Sequence, residues 1–210
     1  MLKIENVSTF GWKAAIRGMR NPKNSWAQID SAVVNGNGFV VGNNDYDLMY
    51  RLASAGTDHG KFMRMITVYL DITAPLYWWK EFDTYKVGTV ANSCSTMHKI
   101  HSKEFTLDDF SHEQLNEKSL YMLNETVRYL NAVREAFVET KDKEYWWQMI
   151  QLLPSSYNQR RTVMLNYAVL RNIYHARKDH KLDEWHTFCD WIESLPYSDL
   201  ITGITGKAVL

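Results

Sequence analysis

The chain has 210 residues, of which 45% are hydrophobic and 23% charged, so it is long enough for a sizeable core and too apolar for a disordered segment. Basic and acidic residues both number 24, and this zero net charge argues against binding to a nucleic acid polymer. No apolar run approaches the roughly 20 residues of a membrane helix, and the first residues lack the apolar stretch of a signal peptide. With two cysteines, four prolines and no repeat, the sequence predicts one cytoplasmic domain over residues 1–210 and no metal site.

The first quarter of the chain predicts short elements separated by strong turn signals. We expect a strand over Leu2–Val7, a helix over Trp12–Met19, and a helix over Asp45–Ala55 that ends at Gly56. Between the two helices, Asn35-Gly36-Asn37-Gly38 is the strongest turn signal in the sequence, and we expect a loop with a short extended piece after it.

The clearest strand lies over Arg64–Thr73. Its apolar residues alternate with polar ones and many are β-branched, as expected for a strand with one buried face. Ala74-Pro75 ends the predicted strand, and Leu76–Phe82 follows as a helix with the proline near its first turn.

The second half of the chain predicts helices. Apolar spacing indicates a long amphipathic helix or a helical hairpin over Glu113–Thr140, and further helices over Thr162–His180 and Leu182–Glu193. We therefore expect an α+β fold, with a mixed sheet packed against several long helices and helix in the majority.

Common catalytic motifs are missing. The sequence has neither a glycine-rich phosphate loop nor a Gly-x-Ser-x-Gly elbow. Cys94 has no signature that pairs it with a base, so we expect a small, partly buried residue rather than a nucleophile.

A polar cluster, Asn92-Ser93-Cys94-Ser95-Thr96, follows the predicted strand and helix. It places hydroxyl, amide and backbone N–H donors close together, which suits a phosphate or the edge of a pyrimidine. The alternative is an ordinary capped turn.

A second polar pattern runs from Leu153 to Arg177. On a helix, Asn166 and Arg177 would point within about 20° of each other, whereas Asn172 would point about 120° away. Such a face could hold a flat ring and bind its polar atoms. The alternative is a core-facing helix whose arginine reaches solvent.

The two segments together resemble the flavin-dependent thymidylate synthase family over residues 51–193. That family has Arg-His-Arg and then Asn-Glu-x-Ser-x-Arg-Tyr after a strand that runs into Ala-Pro, and Asn92-Ser93-Cys94-Ser95 is similar to the second motif. Its later pattern is matched without a gap by Leu153-Pro154, Arg160, Asn166, Leu170, Asn172 and Arg177.

The resemblance implies an enzyme that moves a one-carbon unit from methylenetetrahydrofolate to C5 of dUMP or a related pyrimidine nucleotide, giving dTMP or a related 5-substituted product. It also implies FAD reduced by NADPH, and a homotetramer with active sites at subunit interfaces. The expected cofactor contacts are Lys86, Thr89, Asn92, Asn166 and Asn172. The expected substrate contacts are Ser93, Ser95, Arg160 and Arg177, of which Ser95 and Arg177 are the expected catalytic residues.

The sequence departs from the family at several charged positions. Thr84-Tyr85-Lys86 stands where the family has Arg-His-Arg, and Met97 stands where it has an arginine. Each lost arginine removes a bidentate phosphate contact unless another cation compensates. Lys86, Arg160, Arg161 and Arg171 are the cations that could do so. The alternative function is therefore a catalytically lost scaffold that binds a nucleotide or a protein.

Overall fold

Residues 1–34 and 38–203 are described by the computed structural model, and just over half of them are helical. The α-helices are α1 (Trp12–Arg20), α2 (Asn43–Ser54), α3 (Leu76–Phe82), α4 (Thr96–Lys99), α5 (Glu117–Thr140), α6 (Lys143–Leu152), α7 (Tyr167–Arg177), α8 (Asp183–Glu193) and α9 (Asp199–Thr202). The strands are β1 (Lys3–Phe10), β2 (Ala32–Val33), β3 (Phe39–Val40), β4 (Thr67–Pro75), β5 (Val90–Ser93) and β6 (Asn158–Asn166).

Four strands form the main sheet in the order β1-β4-β6-β5, so β4 and β6 are central and the other two are edges. Strands β2 and β3 form a separate antiparallel pair in which Ala32 lies opposite Val40. This confirms the predicted α+β class with helix in the majority. None of the described helices is both long and apolar enough to cross a membrane.

The chain divides into two compact units, and strands of the main sheet supply residues to both. The first unit comprises residues 1–5, 71–84 and 91–162, and the second comprises residues 6–70, 85–90 and those from 163 onward.

The core of the first unit forms where α5 packs against α6. Its buried side chains are Ile100, Phe105, Phe110, Leu123, Val127, Leu130, Val133 and Met149. Helix α3 buries Trp78 and Trp79 completely, and the Trp79 Nε1 donates a hydrogen bond to the backbone oxygen of Gln159. These two tryptophans therefore serve the core and are not available to stack on a ligand.

The second unit packs α7 against α8 and α9, and α1 against the turn that precedes β4. Gly11 makes the last contact possible, because its φ of 90° is left-handed and a Cβ there would lie 2.0 Å from the backbone oxygen of Met65. A buried ion pair between Arg20 and Asp45, 2.6 Å apart, joins the end of α1 to α2.

One predicted helix is wrong over its first part. Residues 158–166 form strand β6, and the helix begins at Tyr167. The physical reason is an alternating pattern: Gln159, Val163 and Leu165 are buried while Arg160 and Thr162 are exposed. A central strand between β4 and β5 uses this alternation, and the helix starts only after Asn166 caps it.

Other elements agree with the prediction apart from their ends. The expected strand over Arg64–Thr73 begins at Thr67, because Gly60–Met65 forms a 3-10 helix, and it continues through Pro75. The helix expected from Glu113 is a single one that begins after Asn116, whose side chain accepts the N–H of Ser119 at 3.0 Å. The predicted turn over residues 35–38 lies outside the described residues except for Gly38.

Candidate functional site

The polar cluster in the first unit lies at an exposed edge of the main sheet. Asn92 and Ser93 are exposed on edge strand β5, and Ser95 caps the short helix α4 by accepting the His98 N–H at 3.0 Å. The capped turn considered in the sequence analysis is therefore present. The cap uses the Ser95 oxygen as an acceptor, and its hydroxyl hydrogen remains able to donate to a ligand.

A groove of about 480 Å³ opens beside this cluster. Ser95, Lys99, Lys103, Tyr157 and Arg160 are among the residues that line it. Two hydrogen bonds hold the cluster against β6: the Cys94 N–H donates to the Arg160 backbone oxygen at 2.9 Å, and Gln159 Nε2 donates to the Cys94 oxygen at 2.8 Å. The groove thus has a fixed wall of backbone, and its lining carries three cations, Lys99, Lys103 and Arg160, and two carboxylates, Asp108 and Asp109.

The cations of this groove differ in their availability. Arg160 pairs with Asp71 at 2.7 Å, and this hydrogen bond raises the pKa of the guanidinium. Lys103 pairs with Asp109. Lys99 is exposed and makes no ion pair within residues 1–34 and 38–203, so its charge is the one that a bound anion meets unneutralised.

Two further groups define the chemistry of the groove. Burial raises the pKa of the Tyr157 phenol, with smaller contributions from Asp109 and Cys94, so the phenol stays protonated near neutral pH. The Cys94 thiol is exposed, which corrects the expectation that this residue is partly buried. It is exposed because it directly follows an edge strand whose residues all face solvent.

In the second unit, residues 85–90 pack on the beginning of α7. Gly88 has a φ of 81°, and a Cβ there would lie 2.9 Å from Asn166 Nδ2 and 3.2 Å from a methyl group of Val169. Next to it, Thr89 buries its hydroxyl oxygen without a hydrogen-bond partner among the described residues. Lys86 is exposed on the same segment. An unsatisfied buried hydroxyl is costly, and it is the kind of group that a ligand can satisfy.

Asn166 has a structural contact that the sequence analysis did not predict. It is the N-cap of α7 with an extended backbone, and its Oδ1 accepts the Val169 N–H at 3.1 Å. The prediction that Asn166 and Arg177 lie on one face of a helix is therefore wrong, because Asn166 precedes the helix as its N-cap. Asn172 lies within α7 and is exposed.

Arg177 is held in an aromatic setting at the end of α7. Its Nε donates to the Tyr85 hydroxyl at 2.8 Å, and its guanidinium carbon lies 4.8 Å from the centre of the buried Trp185 ring. Tyr85 occupies the middle position of the degenerate Arg-His-Arg signature. This position thus orients Arg177 through a hydrogen bond and a ring contact.

The structure brings the predicted residues together in two groups. Ser95 and Arg160 line one groove in the first unit, whereas Asn92 and Ser93 lie on the strand beside it. In the second unit, Asn166 contacts the segment that carries Lys86 and Thr89. Sequence reasoning missed Lys99 and Tyr157 in the groove. Their only signal is a lysine shortly after the polar cluster and a tyrosine shortly before β6.

Comparisons with known proteins identify the fold. No protein-family model matches the sequence, and no curated protein does either. Among solved structures, the flavin-dependent thymidylate synthase ThyX from Helicobacter pylori, complexed with FAD and dUMP, is 16% identical with a TM-score of 0.69. The match covers 96% of this chain and 98% of that one. The chain has the fold of the flavin-dependent thymidylate synthases.

Two further structures agree with this thymidylate synthase fold. A second Helicobacter pylori ThyX structure with FAD and dUMP also has a TM-score of 0.69 at 16% identity, and covers 97% of this chain and 98% of that one. A UMP/dUMP methylase, PolB from Streptomyces cacaoi, bound with 5-Br dUMP, has a TM-score of 0.62 at 12% identity. It covers 97% of this chain and 96% of that chain.

Proposed function

We propose that the chain is a divergent flavin-dependent thymidylate synthase, a single domain over residues 1–210, that binds FAD and a dUMP-like pyrimidine nucleotide. It transfers a one-carbon unit from methylenetetrahydrofolate to C5 of the nucleotide and uses NADPH to reduce the flavin. It acts in the cytoplasm as a homotetramer with active sites at subunit interfaces. The observation that carries the proposal is the fold likeness over 96–97% of the chain to structures that hold dUMP or its bromo analogue.

The nucleotide phosphate binds in the groove beside Ser95. A phosphate requires donors and positive charge, and the groove offers the Ser95 hydroxyl, the protonated Tyr157 and the Lys99 ammonium. Lys99 lies two residues after Met97, which occupies the position of a family arginine. Lys99 therefore supplies a cation on the same short segment from which one is missing.

The flavin binds to the second unit. When bound, FAD supplies the two-electron chemistry of the reaction. The residues that fit it are Lys86, whose exposed ammonium suits a diphosphate, Thr89, whose buried hydroxyl lacks a partner, and the exposed Asn172. Asn166 supports this site indirectly, since it holds the segment around Gly88 against α7.

Arg177 acts on the pyrimidine base. Tyr85 and Trp185 fix its guanidinium, so the charge needs little reorganisation to polarise a ring carbonyl. Ser95 positions the nucleotide from the side of its phosphate. Arg160 is a substrate contact that must exchange its ion pair with Asp71 for a contact with the nucleotide.

Flavin binding is tested first, by the visible absorbance of the purified protein and by titration with added FAD. We expect a yellow protein, and a Lys86→Gln variant that binds FAD about 10- to 100-fold more weakly, because one charged hydrogen bond contributes about 1.5–3 kcal/mol. Lys80→Gln is the matched control, since Lys80 is exposed on α3. Failure of the wild-type protein to take up FAD would contradict the proposal.

Turnover distinguishes the enzyme from the alternative, a catalytically lost scaffold that binds a nucleotide or a protein. The degenerate Thr84-Tyr85-Lys86 signature favours the scaffold. The assay supplies FAD, NADPH and methylenetetrahydrofolate, and it measures 5-methylated product from dUMP and, in parallel, from UMP. We expect product from dUMP and a higher KM in Lys99→Gln, with Lys118→Gln on α5 as the exposed control. Nucleotide binding without any product would establish the scaffold instead.

A further inference from the structure

A pocket in the second unit lies between α1 and the small hairpin formed by β2 and β3. Its volume is about 210 Å³, and none of its lining residues is among those assigned above to flavin or nucleotide. Two cations of α1, Lys13 and Arg17, line it together with one serine hydroxyl. Its apolar lining residues are Ile16, Ile29, Ala32, Val33 and Phe39. We call it the hairpin pocket.

Hydrogen bonds at both ends of the hairpin hold this wall of the pocket in place. Just before β2, the Ser31 hydroxyl donates to the buried Asp45 carboxylate at 2.6 Å. Just after β3, the Val41 N–H donates to the Tyr197 hydroxyl at 3.1 Å. The Ser31 hydroxyl hydrogen is therefore already used, and the hairpin contributes apolar surface to the pocket in a fixed position.

The two cations of the pocket have no counter-charge. Lys13 and Arg17 are exposed and lie four residues apart on α1, so they share one face of the helix. Neither makes an ion pair within residues 1–34 and 38–203. Asp30, at the base of the hairpin, is not a lining residue, and its carboxylate accepts the N–H groups of Asn44 and Asp45 at 2.8 and 3.0 Å.

The stability of α1 does not account for this arrangement. Lys13 is the second residue of the helix, where the positive end of the helix dipole disfavours a cation, and the first turn contains no acidic residue. Like charges one turn apart also repel each other. An anion bound between the Lys13 ammonium and the Arg17 guanidinium relieves both unfavourable terms. The charge of the pocket thus complements an anion, whereas the rest of its lining complements an apolar group.

We propose that the hairpin pocket binds a small aromatic carboxylic acid, with the ring among the apolar residues and the carboxylate on Lys13 and Arg17. An apolar cavity of about 150 Å³ takes a benzene ring, so about 210 Å³ accommodates a ring with a short acid chain. Phe39, which lies opposite Val33 in the hairpin, supplies an aromatic contact for that ring. The inference does not rest on the proposed function, because it shares no residue with the flavin and nucleotide sites.

The test is calorimetric titration of the full chain with phenylacetate at constant ionic strength. We expect saturable binding at one site per chain. Phenylacetamide has nearly the same shape but no charge, so it should bind about 10- to 100-fold more weakly. Acetate lacks the ring and should show no saturable binding over the same concentrations. Equal affinities for phenylacetate and phenylacetamide would overturn the proposal.

Variants locate the site. Arg17→Gln should weaken phenylacetate binding about 10- to 100-fold, because a charged hydrogen bond is lost. Lys23→Gln is the control: Lys23 is exposed just after α1 and outside the pocket, so the affinity should stay within about two-fold. Val33→Asp should abolish binding, since its carboxylate would neutralise the two cations, whereas Val33→Asn should retain it. Val33 is 70% exposed, so neither change disturbs the core.

Absence of saturable phenylacetate binding, or equal affinities in Arg17→Gln and Lys23→Gln, would also overturn the proposal. The alternative occupant of the pocket is a second copy of the chain, and native mass spectrometry tests it. If the wild-type protein does not bind phenylacetate and Val33→Asp lowers the oligomeric state, the pocket is a contact between copies. Failure of FAD uptake would contradict the proposed function alone, because phenylacetate binding is measured without flavin.

Discussion

Replacing Asp45 with asparagine removes the charge at the centre of the buried network in the second unit. The Asp45 carboxylate accepts four hydrogen bonds: from Arg20 Nε at 2.6 Å, from the Ser31 hydroxyl at 2.6 Å, and from the backbone N–H groups of Ser31 and Asp30 at 3.0 and 3.1 Å. Its side chain is 0% exposed and that of Arg20 is 3% exposed. Asp45→Asn therefore leaves a buried guanidinium without a counter-charge and replaces one acceptor oxygen by a donor.

The expected loss is about 3–5 kcal/mol, the range for breaking a buried ion pair by removing one partner. This is a large part of the roughly 5–15 kcal/mol that stabilises a typical protein. Urea unfolding, followed by tryptophan fluorescence, measures it as a lower midpoint at unchanged slope. Asp47→Asn is the matched control, because Asp47 is exposed on the same helix and should change stability by less than about 0.5 kcal/mol. A loss below about 1 kcal/mol in Asp45→Asn would refute the reasoning.

The same carboxylate makes stability depend on acidic pH. Burial raises the pKa of Asp45, but the hydrogen bonds from Ser31, Arg20 and the backbone together outweigh burial and lower it below its ordinary value of 3.8. The carboxylate therefore stabilises the fold above pH 3.8, and this contribution is lost as the pH falls through the lower folded value. Below pH 3.8, wild-type stability should fall more steeply than that of Asp45→Asn. Parallel slopes would contradict this.

Three further changes test other parts of the structure. Gly88→Ala should weaken FAD binding and lower the melting temperature, because φ is 81° and the new Cβ would lie 2.9 Å from Asn166 Nδ2; FAD titration and thermal unfolding measure this. Ser95→Ala should cost about 1 kcal/mol through the lost cap and raise the KM for dUMP, whereas an unchanged KM would remove Ser95 from the site. The Tyr174 hydroxyl donates a hydrogen bond to Glu193 Oε1 at 2.9 Å. The pKa of Tyr174 is raised to about 12, mainly by burial and then by this carboxylate. Its stabilising contribution is therefore complete below pH 10 and lost as the pH rises through 12, so Tyr174→Phe should flatten the alkaline limb of an unfolding curve.

The sequence contained enough information for most helices and for the central strand β4. Alternation around Val68 and Leu70 predicts a strand with one buried face, and the structure buries both residues. Helix α8 and the long helix α5 follow from apolar spacing in the same way. These signals are local, which is why a single sequence reveals them.

Strand β6 was missed because its residues fit two periods at once. Val163 and Leu170 are seven residues apart and would share one face of a helix. The alternation of a strand becomes clear only from the burial of Gln159, Val163 and Leu165. The same error affected the predicted site: Asn166 was expected on a face of the helix, but it is the N-cap that precedes the helix. The sequence does not reveal that Lys99 lacks an ion pair within the described residues while Lys103 and Arg160 have one, because these pairs depend on which carboxylates lie nearby in the folded chain.

The cap formed by Asn166 affects how motif matches in distant relatives should be weighed. An asparagine that caps a helix contributes to stability whether or not a ligand binds, because replacing an N-cap by alanine costs about 1 kcal/mol. The need for a stable fold is therefore enough to retain it. A lineage that had abandoned its chemistry would therefore still display this letter of the signature. Asn172 is exposed within α7 and does not cap the helix. A match at Asn172 is therefore stronger evidence for an inherited activity than a match at Asn166.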